Sequence, residues 1–190
     1  MATLPRDVQA AIAKQAPKVL RRPFEKEFKK RFLEIKAEMI KEFLSHPVTV
    51  ELLAGPSSTN ISGTLGGISN LFAFIGFDSS DEPIEPILKM LENMDYNYSG
   101  EAKIGVRYYV NIPEAEDIFK ATPLPWASGR SWAKGIETGI SGLGFLLRKS
   151  KGRSGRAIQS KSKVRTGRFQ NTSYISALIN KYKKEFNKIK

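Results

Sequence analysis

The chain offers few side chains that could carry out chemistry. Its 190 residues include one histidine, His46, and no cysteine. A protein without thiols has no disulfide framework, thiolate zinc site, iron–sulfur cluster or cysteine nucleophile. A metal site needs three or four ligands, and His46 stands alone directly before Pro47. We therefore predict that His46 caps a helix or lies at the surface.

Two acidic clusters are the remaining candidates for acid–base chemistry or metal binding. The clusters are Asp78, Asp81 and Glu82, and Glu114, Glu116 and Asp117. Paired carboxylates can bind metal ions or transfer protons. Here no base, further ligand or phosphate-binding loop accompanies them. We predict solvated surface, with no catalytic, cofactor or metal site.

Nucleotide-binding and nucleophile motifs do not occur. The sequence GISGLG at residues 139–144 is rich in glycine, but it lacks the spacing of a phosphate loop or a dinucleotide fingerprint, and no strand precedes it. The chain also lacks the G-x-S-x-G elbow of serine hydrolases. We therefore expect a protein that is not an enzyme and needs no cofactor.

The net charge of +12 is concentrated at one end of the chain. Residues 1–147 hold 17 Lys and Arg against 18 Asp and Glu, whereas residues 148–190 hold 14 Lys and Arg and one acid, Glu185. Such a basic region usually meets nucleic acid, an anionic membrane or an acidic protein surface. The neutral remainder argues against a protein that coats DNA over its whole surface.

Most of this charge lies in a serine- and glycine-rich stretch, residues 148–171. Its low apolar content predicts a flexible arm. Three interpretations stay open: a solvated loop, an arm that orders against an acidic neighbouring subunit, and an arm that contacts phosphates. Phe169 is its only aromatic residue, so contact with DNA would be to the backbone, without base stacking. The residues predicted to contact a partner or phosphate are Arg148, Lys149, Lys151, Arg153, Arg156, Lys161, Lys163, Arg165 and Arg168.

A second candidate surface is the sequence PWASGRSW. Trp126 and Trp132 bracket it, and Arg130 lies between them. Tryptophan and arginine are enriched at the centres of protein interfaces. Tryptophans beside an irregular loop can equally cover a core, and the sequence leaves both interpretations open.

One long helix is predicted to position the rest of the molecule. Apolar residues recur every three or four positions between residues 24 and 44, which is typical of one helix face. Pro17 interrupts the helical composition before it, and the residue before Pro47 ends it. The predicted core face consists of Phe28, Phe32, Ile35 and Met39, widened by Leu33, Ile40 and Leu44.

The middle of the chain predicts a small, mainly antiparallel sheet. Residues 48–53, 71–77, 95–100 and 104–112 are predicted strands because they are rich in β-branched or aromatic residues or alternate in polarity. A loop of 17 residues, 54–70, joins the first two. Structureless loops of that length are usually functional, so we predict that it contacts an adjacent subunit or partner.

Shorter elements complete the pattern. Residues 83–91 predict a short helix, 122–130 an irregular loop, and 131–147 a helix weakened by glycines. A C-terminal amphipathic helix follows the basic arm, with Thr172 or Ser173 as its cap.

The resulting fold class is α+β: a small, mainly antiparallel sheet packed by a long N-terminal helix and a C-terminal helix, with long loops and a basic arm. We expect one domain, with a neutral body at 1–147, the arm at 148–171 and the last helix at 172–190. The N-terminus has no signal-peptide pattern and no apolar run approaches the ~18 residues of a membrane span. We expect no membrane association and folding in a cytoplasm.

Three stretches resemble small virion proteins of tailed bacteriophages. They are HPVTVELLAGPSSTNISGTLGGISNLFAFIGF from residue 46, GRSWAKGIETGISGLGFLL from residue 129 and FQNTSYISALINKYKKEF from residue 169. The chain is similar to neck, tail-completion and tail-terminator proteins, which sit between the head connector and the tail tube. The likeness covers most of the chain after residue 40.

The resemblance implies a small α+β subunit that forms a ring, often hexameric or twelvefold, around the DNA channel. It implies that the chain binds other copies of itself, connector proteins and tail proteins, with the packaged DNA backbone as a further candidate partner. It also implies that the protein is located in the virion. No catalytic residues carry over from this class. The basic C-terminal region departs from it, because channel-lining surfaces are often acidic or neutral. The alternative function is sequence-independent nucleic-acid binding through that region.

Overall fold

The computed structural model describes residues 5–65, 70–102, 105–139 and 172–189. These residues form an α+β fold in which helices and two small antiparallel sheets share one core. The predicted fold class is confirmed. The predicted basic arm lies outside the described residues.

Helix α1, Arg6–Ser45, is longer than the predicted helix 24–44. It continues through Pro17 and Pro23, although a proline in a helix interior removes one N–H donor and costs about 3 kcal/mol. More than half of residues 6–22 are Ala, Lys or Arg, which favour helix. The predicted interruption is therefore wrong, and the helix is on the order of 60 Å long at 1.5 Å per residue.

His46 ends α1 and starts α2, Pro47–Leu53. Its backbone is extended, as a following proline requires, and its Nδ1 accepts a hydrogen bond from the Val48 amide at 3.3 Å. The predicted strand 48–53 is therefore wrong. The β-branched composition is outweighed by this cap, by proline at the first helical position, and by burial of Val48 and Leu52 on one helix face.

The predicted strand 71–77 is also a helix, α3, Leu71–Ile75. The Asn70 side chain caps its start by accepting a hydrogen bond from the Ala73 amide at 2.8 Å. Gly76 ends it with φ at 90°, a left-handed conformation that glycine adopts without strain. Both ends of the short apolar run thus carry helix signals, and these outweigh its resemblance to a buried strand.

Two shorter helical elements lie on either side of α3. A 3-10 turn, Gly55–Ser57, follows α2. Helix α4, Glu85–Glu92, confirms the helix predicted for residues 83–91 and buries Ile87 and Leu91. Strand β1 of the first sheet begins shortly after the end of α4.

The two strands predicted around residue 100 are confirmed as an antiparallel hairpin. β1 spans Asp95–Ala102 and β2 spans Gly105–Asn111. Tyr98 pairs with Tyr108, and the register shifts between Tyr98 and Gly100. One face of β2 is half-buried and the other is exposed, as its alternating sequence predicts.

A second small sheet replaces the predicted irregular loop 122–130. The elements after β2 are α5 (Ala115–Lys120), β3 (Pro123–Leu124), β4 (Ala127–Ser131) and α6 (Trp132–Thr138). The buried Thr122 hydroxyl contacts the Ser131 hydroxyl at 2.8 Å, and the Trp132 amide donates to the Thr122 carbonyl at 2.9 Å. These bonds close the segment, which its proline-rich sequence did not reveal.

Helix α7, Ile175–Phe186, confirms the predicted C-terminal amphipathic helix. Its predicted cap, Thr172 or Ser173, is wrong. The Glu137 carboxylate of α6 instead accepts hydrogen bonds from the Ser176 amide at 2.7 Å and hydroxyl at 2.6 Å. A side chain from a distant element supplies the capping acceptor, which local sequence cannot show.

One core joins α1 to the helices α2 to α7, and the β1–β2 hairpin packs against it. Phe32 contacts the rings of Tyr96 and Phe186, at centroid distances of 5.1 and 5.6 Å. The predicted core face is confirmed for Phe28, Phe32, Ile35 and Met39, two of which are fully buried and two partly. Leu33 is 50% exposed and does not belong to that face.

Candidate interaction surfaces

The described residues contain no group of three or more His, Asp or Glu side chains arranged to hold a metal ion. Of the two acidic clusters, Glu114 and Glu116 pair with Lys183 and Lys134. Asp81 accepts a hydrogen bond from the Asp78 amide at 2.7 Å, within the turn that these residues form. Their geometry is that of surface ion pairs and a capped turn.

His46 is a helix cap, as predicted. Nδ1 accepts from the Val48 amide, Nε2 lies 3.2 Å from the Ser173 carbonyl, and the ring packs against Tyr174. Burial lowers the pKa of His46, while the Ser173 carbonyl and Glu42 act in the opposite direction. The neutral ring fits this site, because only an unprotonated Nδ1 accepts a hydrogen bond.

The two tryptophans pack onto the core. Trp132 is 1% exposed, so it does not act as an exposed interface anchor in this fold. Trp126 is half-buried and its Nε1 donates to the Ile75 carbonyl at 2.7 Å. Arg130 is exposed on β4. The arrangement supports the core-covering interpretation of the tryptophans.

The predicted long loop is organised by one carboxylate that sequence reasoning missed. Glu51 is 0% exposed. Its oxygens accept hydrogen bonds from the Leu71 amide at 2.7 Å, the Ser62 amide at 2.8 Å and the Asn60 side chain at 3.0 Å. Asn70 adds bonds from its side-chain amide to two carbonyls of the same loop. The described part of the loop is thus tied to α2 and α3.

The first half of α1 projects from the body. Every residue from Pro5 to Glu27 whose side chain is described is exposed. The first ring contacts with the body come from Arg21, which lies 4.3 Å from the Tyr98 ring centroid, and from Phe28. We call residues 6–22 the helical projection.

The helical projection carries a stripe of exposed apolar side chains. Val8, Ile12 and Val19 are 38%, 51% and 72% exposed. At 100° per residue they share one side of the helix with Leu33, and this side differs from the one that buries Phe32. Helix α1 therefore has two apolar faces, only one of which is covered by its own body.

A matching group of exposed apolar residues lies at the other end of the body. Val50, Leu53 and Ile61 are 37%, 58% and 50% exposed, on α2 and the loop that follows. Helix α2 packs on α3, which leads directly into the acidic turn at residues 78–82. We call the end formed by α2 and the loop that follows it the distal end.

A groove lies between α1, the β1–β2 hairpin and the end of α7. It encloses about 850 Å³ and is lined mainly by apolar and aromatic side chains, among them Phe24, Phe28 and Tyr109. Tyr108 also lines it, and its hydroxyl is buried without a hydrogen-bond partner among the described residues. Burial raises the pKa of Tyr108, so the phenol stays protonated at neutral pH.

The basic arm residues lie outside the described residues, but the two flanking segments are close together. The Thr172 amide donates to the Ile136 carbonyl at 3.4 Å, three residues before Gly139. These flanking residues adjoin the α1–α2 junction, because the Ser173 carbonyl contacts the His46 ring there.

Among the described residues, none of the helices combines the length and the apolar content needed to cross a bilayer. No protein-family model, curated protein or solved structure matches this chain.

Proposed function

We propose that this protein is a non-enzymatic assembly subunit that forms a ring at the neck or tail end of a tailed-phage particle, joining the head connector to the tail. The observation that carries the assembly role is the helical projection. It is a long exposed helix that carries an apolar face left exposed by the described residues. The position in a virion rests on the sequence resemblance.

Two observations support a subunit over an isolated binding protein. Exposed large apolar residues group at both ends of the molecule, and clustered apolar surface usually marks a protein–protein contact. Both acidic clusters take part in contacts within the fold, namely the ion pairs of Glu114 and Glu116 and the turn hydrogen bond of Asp81. The proposed partners are other copies of the chain, connector proteins and tail proteins.

The alternative function, sequence-independent nucleic-acid binding, is favoured by the +13 charge of residues 148–190. It predicts that a monomer binds free DNA or RNA, and that affinity falls steeply with salt. The phage-assembly function predicts rings of the protein alone or with connector proteins.

Electron microscopy of the purified full chain, together with DNA binding measured at two salt concentrations, separates these functions. Closed rings without tight DNA binding support the proposal. A monomer that binds DNA with a steep salt dependence replaces it with the alternative.

A further inference from the structure

We infer that the free edge of β2 pairs with the same edge of a second copy of the chain. The contact joins the two hairpins into one antiparallel sheet of four strands, and the β2 strand of one copy occupies the groove beside β2 of the other. It needs only the chain itself, so it does not depend on the proposed position in a virion.

The groove follows the edge of the sheet. Residues 106–110 of β2 all line it, whereas Ser99 is the only lining residue among the described residues of β1. Successive side chains of a strand point to opposite faces. A cleft over one face therefore meets alternate residues, and a cleft along an edge meets consecutive ones, as here. The other walls are α1 and the end of α7.

The backbone along this edge has no hydrogen-bond partner within the described part of the chain. The sheet contains two strands, so β2 pairs with β1 alone. Beyond that pairing, no hydrogen bond between described residues involves the backbone of β2. Alternate N–H and C=O groups of β2 thus point away from β1. An extended strand can pair with them, whereas a helix uses its own backbone groups internally.

The two edges of the hairpin differ in their protection. The register of β1 shifts at Ser99, and β1 carries Asp95 and Glu101. Bulges and charged side chains discourage pairing at an edge. In contrast, β2 contains neither Lys nor Pro, and its one charged residue is Arg107. It also presents Tyr109, which is 64% exposed. The edge of β2 is therefore the one left open to pairing.

A second copy suits this edge because the contact is self-complementary. A two-fold axis perpendicular to the sheet makes the two β2 strands antiparallel and keeps both α1 helices on the same face. Residues opposite each other have side chains on the same face, so one residue of β2 lies opposite its own counterpart. With Tyr109 in that place, Arg107 lies opposite Asn111, and no like charges meet across the strands. One contact then removes two free edges.

The charges beside the groove suit the same arrangement. Glu27 and Arg31 of α1 line the groove and pair at 3.3 Å. The Phe28 ring stacks on the Tyr108 ring at 4.5 Å, which places this part of α1 level with the middle of β2. The two-fold axis runs the second α1 in the opposite direction, so Glu27 of one copy comes toward Arg31 of the other. Unlike charges therefore approach each other on this wall.

Single cysteines test the contact directly, because the chain contains none. Full-length variants carry Arg107→Cys or Tyr109→Cys, both at exposed positions. A disulfide requires Cα atoms about 4.4–6.8 Å apart. Under mild oxidation we expect covalent dimers from Tyr109→Cys alone if the axis passes Tyr109, and from an equimolar mixture of the two variants if it passes Tyr108.

The matched control is Asn97→Cys. Asn97 is exposed and pairs with Tyr109 within the hairpin, so it lies on the same face but one strand further from the edge. Cross-linking through random collision is equal for the control and the β2 variants. Cross-linking through the edge contact should be roughly tenfold faster than in the control.

A second variant tests the contact without a covalent bond. Tyr109→Lys places a cation opposite either its own counterpart or Arg107 of the second copy, in both registers. We expect self-association, measured by sedimentation velocity, to weaken roughly five- to tenfold. Asn97→Lys adds the same charge one strand away and should have little effect. Circular dichroism checks that both variants fold.

The outcomes separate this inference from the proposed function. Cross-linking of the β2 variants and their mixture that does not exceed the Asn97→Cys level would overturn the contact, even where electron microscopy shows rings. Cross-linked dimers without rings would support the contact and reject the ring. Self-association that Tyr109→Lys leaves intact would assign it to another surface and overturn the contact. A chain that stays monomeric at every concentration would also overturn it and leave the edge for a strand of another protein.

Discussion

At the scale of single residues, Glu51 shows how one buried carboxylate holds a long loop. Its oxygens take N–H groups from Asn60, Ser62 and Leu71, which lie 9, 11 and 20 residues further along the chain. A buried carboxylate is costly unless donors surround it. Here the donors come from the loop and from the first residue of α3, so satisfying the carboxylate oxygens and ordering the loop are one event.

Replacing Glu51 with alanine should destabilise the fold strongly. The change removes the acceptor of the Ser62 and Leu71 backbone amides, and each buried unpaired group costs about 1–3 kcal/mol. We expect a loss of about 3 kcal/mol or more in the free energy of unfolding, measured by urea denaturation. The matched control is Glu92→Ala, whose side chain is exposed. Equal losses in the two variants would contradict the role of Glu51.

His46 makes the stability of the fold depend on pH. Its pKa is lowered in the folded protein, mainly by burial, so the unfolded chain binds the proton more tightly. The contribution of the neutral His46 ring to stability is fully present above the pKa of histidine in the unfolded chain, about 6.5. It is lost as the pH falls through and below that value. The chain has no other histidine, which makes this window specific to one side chain.

The variant His46→Asn should flatten the pH dependence. Asparagine is a good helix N-cap, so the start of α2 is kept, while the titrating ring is removed. We expect wild-type stability to fall between pH 7.5 and 5.5 and the variant to change less, in urea denaturation at each pH. Parallel stability–pH curves for the two proteins would show that His46 does not titrate in this way.

At the scale of elements, α1 serves two purposes through two faces. Phe32, Met39 and Phe43 are buried on one face, and Glu42 fixes α7 by accepting hydrogen bonds from Lys181 and Tyr182. These bonds, the one from Lys181 foremost, lower the pKa of Glu42. The opposite face carries the exposed stripe. A helix with apolar residues on both faces is not amphipathic in the usual sense. Its repeat of apolar residues therefore predicts a wider buried face than the structure has.

Substituting one residue on each face should distinguish the buried face from the exposed face by their effects on stability. Phe32→Ala removes a ring that is 3% exposed and should lower the free energy of unfolding by about 3–5 kcal/mol. Leu33→Ala removes a half-exposed side chain and should cost less than about 1 kcal/mol. Urea denaturation of the monomer at low concentration gives both values. A large loss for Leu33→Ala would place it in the core after all.

At the scale of the whole molecule, charge is distributed with a direction. Residues 148–190 carry a net charge of +13, whereas residues 1–147 carry a net charge of −1. Under the proposed function, we expect the basic arm to contact a connector or tail protein.

Six substitutions test the arm separately from the ring. Changing Arg and Lys to Ser at these positions should leave the melting temperature unchanged, because the arm sequence offers almost nothing apolar to a core. In a phage that carries the variant gene, we expect filled heads that fail to join tails, scored by electron microscopy of lysates. The positions are Arg153, Arg156, Lys161, Lys163, Arg165 and Arg168.

The matched control for the arm exchanges Arg for Lys and Lys for Arg at the same positions, which keeps the charge. Normal yield of joined particles from the serine variant would reject a function for these six residues. Complete particles that lose DNA would instead assign the arm to the DNA backbone.

The sequence alone determined the features that depend on local pattern. The alternation in β2, the apolar repeat of α7 and the pairing of His46 with a following proline each predicted the observed element or role. These signals are local because side-chain direction in a helix or strand repeats within a few residues. The concentration of basic charge after residue 147 was likewise evident from the sequence.

Only the tertiary structure showed where caps and burial outweigh the secondary structure that the local sequence pattern predicts. The apolar run before Gly76 and the β-branched run after His46 resemble strands, yet caps and burial make both of them helices. The acceptor that caps α7 is Glu137, and the donors that satisfy Glu51 lie up to 20 residues away. Such partners are set by distances through space, because a buried polar group is satisfied by whichever element packs beside it. For the same reason, only the packed fold shows that one face of α1 is left uncovered.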